Sequence, residues 1–176
     1  EPAASAYETL ATRHSSQAVV MIDPNIRTSF IDDEPAYRAR LDRMIARADI
    51  VKISDEDLDW ILPENTPVED KIATLHEKGA PLVILTKGSA GASAYANGSA
   101  AINVAAPKVT VADTVGAGDT FNAGFLAQLS NTGLLNKEKI AKLTAADLTA
   151  ALEYAAILAA ITVSRSGANP PYLAEL

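Results

Sequence analysis

The sequence predicts an α/β domain built on a mostly parallel sheet with helices on its faces. Short continuous apolar runs, typical of strands buried on both sides, alternate with segments whose apolar residues recur at helical spacing. Near the middle of the chain, a hairpin pattern predicts an antiparallel edge. Such alternation implies right-handed crossovers, and ligands then bind beyond the carboxyl ends of the strands.

The first half of the chain supplies three strands and four helices. Pro2, read as the first helical position, begins an amphipathic segment. The apolar runs that predict strands lie at residues 18–22, 50–53 and 81–85. Helices are predicted between them at residues 37–48, 55–62 and 72–78.

The second half begins with the hairpin and ends in helices. Residues 92–96 and 99–104 flank Asn97-Gly98, a dipeptide typical of a type I′ turn. A glycine-rich loop then leads into one helix, and an alanine-rich helix covers residues 145–164. A Gly-Ala-Asn-Pro-Pro run at residues 167–171 ends it.

Composition limits the classes of function. With 176 residues, 48% of them hydrophobic, the chain is predicted to form one domain over residues 1–176. The net charge of −7 disfavours nucleic acid, and the absence of cysteine excludes disulfides and thiolate metal sites. Neither a signal peptide nor a window approaching the ~18 apolar residues of a membrane span is expected. The prediction is a cytoplasmic protein with no membrane partner.

The most informative segment is Asp-Thr-Val-Gly-Ala-Gly-Asp-Thr-Phe-Asn-Ala-Gly at residues 113–124. Because helical apolar spacing follows it, the N–H groups of Val115 to Asp119 should point outward, unpaired, as an anion site. Asp119 in the first turn would supply a base beside it, which is phosphoryl-transfer chemistry. The alternative is that Asp119 only complements the helix dipole. The residues of a Walker A loop and of a dinucleotide fingerprint are absent.

This segment resembles the signature of the ribokinase-like carbohydrate kinases, the phosphofructokinase-B family. The resemblance implies a three-layer ribokinase-like fold, an anion hole formed by the amides of Gly116, Ala117 and Gly118, and Asp119 as catalytic base. It covers only the carboxyl-terminal part of such a kinase, so the amino-terminal strands, the lid and most sugar-binding residues are expected to be missing. The isolated chain is then expected to be inactive. A nucleotide-binding fragment without catalysis is the alternative.

Two further segments at predicted strand ends fit the same resemblance. Thr86-x-Gly88-x-x-Gly91 matches the family's nucleotide loop, although a plain glycine loop is the alternative. Ser54 and Asp57 align with an Asn-x-x-Glu element and depart from it at both positions. The resemblance implies that Ser54 contacts nucleotide and that Asp57 holds Mg²⁺ through water. An ordinary helix N-cap is the alternative there.

Asp-Pro-Asn-Ile-Arg at residues 23–27 is similar to a segment of fructokinase-like and 2-keto-3-deoxygluconate kinase members. Arg27 is a candidate contact for a phosphate or an acidic sugar, and turn chemistry is the alternative. The three strand-end segments are expected to line one crevice. Trp60 is expected to pack in the structure and not to stack on a base.

The resemblance also implies a monovalent cation, K⁺, and a reaction. The cation would lie among mostly backbone oxygens of Asp113, Val115, Val163, Ser166 and Ala168. Similarity to bacterial fructokinases predicts that ATP and D-fructose give ADP and fructose 6-phosphate, with Mg²⁺ on the phosphates. A 2-keto-3-deoxygluconate kinase is the alternative enzyme, and the complete enzyme is a possible homodimer.

Overall fold

The computed structural model describes residues 2–96 and 98–176, which form an α/β fold. Five strands make a mixed sheet flanked by helices, as predicted, and the strand order in the sheet follows the chain from β1 to β5. The strands are β1 (Met21–Ile22), β2 (Ile50–Ser54), β3 (Leu82–Thr86), β4 (Ala92–Ala96) and β5 (Ile102–Val104). The helices are α1 (Ala3–His14), α2 (Glu34–Ile45), α3 (Asp55–Ile61), α4 (Val68–Glu77), α5 (Ala117–Asn131), α6 (Lys137–Ile140) and α7 (Ala145–Val163).

The first three strands are parallel, as the apolar runs predicted. β1 pairs with β2, and β2 pairs with β3 from Ile50↔Leu82 to Ser54↔Thr86. The prediction of a strand over residues 18–22 was too long, because β1 has only two residues. The strand is short because the Val20 N–H donates to the Asp49 carboxylate at 2.7 Å. This N–H group therefore does not bond to a neighbouring strand.

The predicted antiparallel hairpin is confirmed, although its second strand, β5, begins at Ile102 and not at Ser99. β4 pairs with β5 from Ala92↔Val104 to Ala94↔Ile102. Asn97, on which the predicted type I′ turn depends, lies outside the described residues.

The chain divides into two compact units, and the prediction of one domain stays a prediction. The first covers Glu1–Thr86, Tyr95–Ala100 and Asn136–Ala141, and the second covers Lys87–Ala94, Ala101–Leu135 and Lys142–Leu176. The core of the first unit is formed by α2, α3 and α4 against β2 and β3. Its members are Leu41, Ile45, Ala48, Val51, Ile53, Leu58, Ile72, Leu75, Ala80, Val83 and Leu85.

The core of the second unit is the contact between α5 and α7. Phe125 and Leu129 of α5 and Leu152 of α7 are buried in it. Gly124 permits the close approach of the two helices, because a Cβ there would lie 3.0 Å from the Ala155 Cα. The apolar spacing that predicted α5 therefore marks the face on which it meets α7, since Phe121, Phe125 and Leu129 are buried.

Helix α7 corrects the expectation that no window of the chain could cross a membrane. Among the described residues, this 19-residue helix is the one long and apolar enough to do so, with a mean hydropathy of 1.5. Its hydropathy comes from alanine and leucine residues that pack against α5, and 44% of the window is buried. The core helix of a soluble protein has the same composition, so the finding is weak evidence for a membrane.

Several helix ends differ from the predictions. Pro2 is the N-cap of α1 and not its first helical residue. Helix α2 begins at Glu34 because the Asp33 carboxylate accepts the Ala36 N–H at 2.9 Å. The short helix α6 and the 3-10 turns at Thr28–Phe30, Gly88–Ala90 and Leu173–Glu175 were not predicted, because such short elements carry little periodicity.

Candidate active site

The glycine-rich loop leads directly into α5, as the signature predicted. Gly116 is the N-cap in the left-handed conformation, with φ 78°, and Asp119 lies exposed in the first turn. Within the described part of the chain, the N–H groups of Gly116, Gly118 and Asp119 donate no hydrogen bond. The prediction was wrong for two of the five amides. Val115 donates to the Asp113 carboxylate at 3.0 Å, and Ala117 donates to the Thr114 carbonyl at 3.3 Å.

The Asp113 carboxylate joins this loop to the turn after α7. Its two oxygens accept the N–H groups of Val115 and, at 2.9 Å, Gly167. Hydrogen bonds from Val115 and then from Gly167 hold the pKa of Asp113 below its ordinary value. Gly116 reinforces the contact, because a Cβ there would lie only 3.0 Å from the Ala168 Cβ. The Asp113 carboxylate thus holds the loop in place, and the absence of a side chain at Gly116 allows the loop to approach Ala168 closely.

These contacts bring together the residues proposed to surround a monovalent cation. The Val163 carbonyl accepts the N–H groups of Ala112 at 2.8 Å and Asp113 at 3.2 Å. In the described residues, no hydrogen bond reaches the carbonyls of Val115, Ser166 or Ala168. The oxygens of these three residues are therefore better candidates for cation ligands than the Val163 carbonyl is.

The two glycines of the Thr-x-Gly-x-x-Gly segment have different surroundings. Gly91 has φ 98°, and a Cβ there would lie 2.1 Å from the Val104 carbonyl oxygen, so the fold itself requires glycine. Gly88 has φ 50° with open space around its Cα. The Thr86 hydroxyl is 3.4 Å from the Ile53 carbonyl oxygen. Of the two glycines, only Gly88 has open space beside its backbone, which a close phosphate contact requires.

A cavity of about 440 Å³ lies within the first unit. Two of the three strand-end segments meet there, after β1 and after β2, as expected from the rule for parallel sheets. Asn25, Ile26, Arg27, Thr28, Ser29, Lys52, Ser54, Glu56, Asp57 and Trp60 line the cavity. That the Thr86–Gly91 segment shares this crevice stays a prediction.

Both interpretations of Ser54 and Asp57 have structural support. The Ser54 hydroxyl accepts the Asp57 N–H at 3.1 Å and so caps α3. Both residues also line the cavity. Asp57 is buried, and its Oδ1 accepts the Ile26 N–H at 3.1 Å. The described residues contain no cluster of three or more histidine, aspartate or glutamate side chains that could hold a metal alone.

Lys52 is a cavity residue that the sequence did not reveal. It is 5% exposed, and its ammonium donates to the Asp23 carboxylate at 2.9 Å. The sequence signal that could have identified it is a lysine in the middle of an apolar strand. A lysine is rarely buried without a partner, so this position indicates a nearby carboxylate. Asp23 belongs to the Asp-Pro-Asn-Ile-Arg segment, so this segment supplies a counterion as well as a turn.

Arg27 lines the cavity but is exposed, and its guanidinium donates to the Ile26 carbonyl at 2.8 Å. Asn25 precedes it with φ 42°, the left-handed conformation that asparagine tolerates better than most residues. The turn interpretation of this segment is therefore supported, and the ligand interpretation of Arg27 stays a prediction. Trp60 packs edge-on against Tyr37, with ring centroids 5.8 Å apart, as expected, and also lines the cavity.

A loop whose backbone N–H groups are open to an anion, next to an exposed carboxylate, is typical of anion chemistry. Comparison with known proteins identifies the family. The family model for pfkB carbohydrate kinases matches residues 2–175. The chain belongs to this family. It is 47% identical over 143 residues to the fructokinase of Rhizobium leguminosarum bv. trifolii, an alignment that covers 81% of this chain and 43% of that one.

Solved structures of fructokinases also match. The fructokinase of Xylella fastidiosa with bound ATP is 25% identical, with a TM-score of 0.83, and the match covers 94% of this chain and 52% of that one. A double mutant of Vibrio cholerae O395 fructokinase, bound to fructose, ADP and potassium, is 25% identical, with a TM-score of 0.79 and coverages of 93% and 50%. The chain thus spans about half of the length of these relatives, or less.

Proposed function

We propose that the protein is an ATP-dependent sugar kinase and, among these, a fructokinase. The reaction transfers the γ-phosphoryl group of ATP to a hydroxyl of D-fructose and gives ADP and fructose 6-phosphate. Family membership and 47% identity to a fructokinase support the substrate class. The observation that carries the chemistry is the exposed Asp119 in the first turn of α5, beside N–H groups that donate to no acceptor among residues 2–96 and 98–176.

Each part of the loop has a distinct role in this proposal. Asp119 accepts the proton of the sugar hydroxyl as that oxygen attacks the γ-phosphorus, and the bond from phosphorus to the β–γ bridging oxygen breaks. The amides of Gly116 and Gly118 donate to the phosphoryl oxygens as negative charge develops. Ala117 contributes through its backbone position and not through its N–H group, because that group faces the Thr114 carbonyl.

Each unit, taken by itself, contains candidate residues for the nucleotide or its magnesium ion. Gly88 offers open backbone for phosphate contact, and Thr86 offers a hydroxyl. Asp57 and Glu56 line the cavity and supply the carboxylate oxygens that Mg²⁺ prefers, directly or through water. When bound, the metal neutralises charge on the phosphates. Lys52 and Arg27 are the cations of the same cavity and suit an anionic group.

A potassium ion is proposed at the base of the anion loop. The carbonyls of Val115, Ser166 and Ala168 would bind it, with Asp113 and Val163 completing the surroundings. Kinetics in KCl against NaCl at equal ionic strength test this proposal, because a bound ion at this position would order the loop. Equal rates in both salts would contradict it. The predicted homodimer and the cytoplasmic location stay predictions.

The decisive experiment is a coupled ADP-release assay of the full-length protein with a panel of sugars. We expect fructose to give the highest kcat/KM. Asp119→Asn should lower kcat by at least about 100-fold, the usual contribution of a positioned base, with KM for ATP within a few-fold. Asp32→Asn, which changes another exposed carboxylate, is the matched control. An Asp119→Asn variant with near-normal kcat would overturn the base assignment.

The alternative substrate, 2-keto-3-deoxygluconate, depends on Arg27. If Arg27 binds the carboxylate of an acidic sugar, Arg27→Ala should reduce turnover of the keto-acid far more than that of fructose. We expect equal losses for the two substrates. A higher kcat/KM for the keto-acid in the unmodified protein would replace the fructokinase proposal.

A further inference from the structure

Helix α3 forms one wall of the cavity in the first unit, and a long side chain of α2, Arg38, binds its far end. Glu56, Asp57 and Trp60 of α3 line the cavity. Arg38 lies at the other end of this helix. It donates to the carbonyls of Trp60 at 2.9 Å and Ile61 at 3.1 Å. These are carbonyls of the last helical turn, which have no partner within the helix.

The same guanidinium also covers the Trp60 ring. The Arg38 Cζ lies 3.8 Å from the ring centroid, and Nε pairs with Glu34 at 2.7 Å. A planar guanidinium can stack on an aromatic face and bond to two carbonyls at once, which a lysine ammonium cannot do. Arg38 thus fixes both the backbone and the ring of one residue, Trp60.

The neighbouring Tyr37 also contacts Trp60. Its ring meets Trp60 edge-on, at an interplanar angle of 85°. Burial raises the pKa of Tyr37, and the negative charge of Asp57 raises it further. Two consecutive residues of α2, Tyr37 and Arg38, therefore contact the same cavity residue of α3, Trp60.

We infer that Arg38 is a positioning residue: by fixing the carboxyl-terminal turn of α3, it sets the position of the cavity wall that Asp57 and Trp60 form. Its effect on catalysis rests on the proposed function, but its effect on Trp60 does not. Of the cavity residues, Trp60 is the one that the bonds described above join to Arg38. Arg38 therefore acts through α3 and not on substrate.

The test uses the spectroscopic signal of Trp60, the single tryptophan of the 176 residues. Trp60→Phe provides the baseline that isolates this signal in the full-length protein. In Arg38→Met, we expect emission shifted to the red and a higher acrylamide quenching constant, because the guanidinium no longer covers the ring. Arg38→Lys should lie between Arg38→Met and the unmodified protein. Glu34→Gln, which spares the carbonyl and ring contacts, should leave the spectrum unchanged.

Kinetics of the folded variants provide the second measurement. We expect kcat/KM to fall on the order of 10-fold in Arg38→Lys and on the order of 100-fold in Arg38→Met, the loss that a displacement of about 1 Å can cause. Arg43→Lys is the matched control, because Arg43 lies on the same helix and pairs with Glu8 at 2.6 Å. Its kcat/KM should be unchanged.

The outcomes separate the inference from the proposed function. If Arg38→Met only lowers Tm, with the Trp60 spectrum and kcat/KM of the folded protein unchanged, the inference is wrong. If Arg38→Met does not fold, an unchanged spectrum in Arg38→Lys has the same meaning. If the unmodified protein releases no ADP with any sugar, the proposed function fails, and the Trp60 spectra alone decide the role of Arg38.

Discussion

The cavity of the first unit and the anion loop of the second are held in place by different means. Around the cavity, long charged side chains fix the structure, with Lys52 on Asp23 and Arg38 on the end of α3. Around the loop, small residues and backbone groups do so, with Gly116 against Ala168 and the N–H of Gly167 on Asp113. The first region therefore depends on long charged side chains, and the second depends on small residues and on one carboxylate, Asp113, that accepts backbone N–H groups.

This difference determines how each region should fail. Removing one charge from a buried pair leaves the other without compensation, which destabilises the folded state. Adding a methyl group to a close backbone contact displaces the loop and leaves most of the core unchanged. Substitutions in the first unit should thus lower stability first, and substitutions in the loop should lower catalysis first.

The largest effect on stability is expected from Lys52→Met. Asp23 would remain without the Lys52 ammonium where its side chain is only 19% exposed. We expect the free energy of unfolding to fall by about 3 kcal/mol, measured by urea denaturation. Lys78→Met is the matched control, since the Lys78–Asp42 pair is far more exposed and should contribute less than about 1 kcal/mol. Equal losses in the two variants would show that burial of the pair is unimportant.

Gly116→Ala should affect catalysis most strongly among the loop variants that leave Asp119 intact. Its new Cβ would meet Ala168 and would also strain a left-handed residue. We expect kcat to fall about 100-fold, as for the loss of one donor to a developing charge. Gly133→Ala is the control, because Gly133 has φ 68° but open space around it. If both variants lose the same activity, backbone strain alone explains the loss.

Gly124→Ala tests the helix contact beneath the loop. The added Cβ would lie 2.9 Å from the Leu158 Cδ1 and 3.0 Å from the Ala155 Cα. Overpacking of this kind should cost about 2 kcal/mol, which exceeds the gain of about 1 kcal/mol from replacing a helical glycine. Thermal unfolding measures the effect, with exposed Ser130→Ala on the same helix as control. A more stable Gly124→Ala protein would mean that α5 and α7 can separate easily.

The smallest effect is the pH dependence of Asp113. Because its pKa is lowered in the folded state, its contribution to stability is present above the ordinary pKa of aspartate and is lost as the pH falls below about 4. The Tm of Asp113→Asn should therefore lie below that of the unmodified protein at pH 7, and the difference should shrink below pH 4. A difference that stays constant with pH would exclude a role for the ionised carboxylate.

Much of the fold could be predicted because the apolar pattern is local. β2, β3 and the hairpin strands follow from short apolar runs, α5 follows from helical spacing, and α7 follows from an alanine-rich run. The strand at residues 18–22 was predicted too long because its hydrogen bonds depend on Asp49, which is 29 positions further along the chain. A pattern within one segment contains no information about such a partner.

The candidate site was predictable in its residues but less so in its bonds. The glycine loop indicated an anion site, yet two of its five amides are occupied, one of them because Asp113 folds back on Val115. Lys52 was not identified as a cavity residue, since its role depends on a carboxylate from another strand end. The role of Arg38 could not be found from the sequence, because the two carbonyls that it binds on α3 lie more than 20 positions away.

The two glycines of the nucleotide loop segment should tolerate substitution very differently. At Gly91, the backbone of Val104 and Ala105 leaves no room for any side chain, so every other residue would require the hairpin to move. At Gly88, asparagine or aspartate could adopt the same φ of 50°, and an added Cβ would meet no atom within 4 Å. In a library randomised at both positions and selected for folding alone, Gly91 would be recovered and Gly88 would be replaced. Added selection for turnover would restore glycine at Gly88 only if a ligand occupies the space beside it.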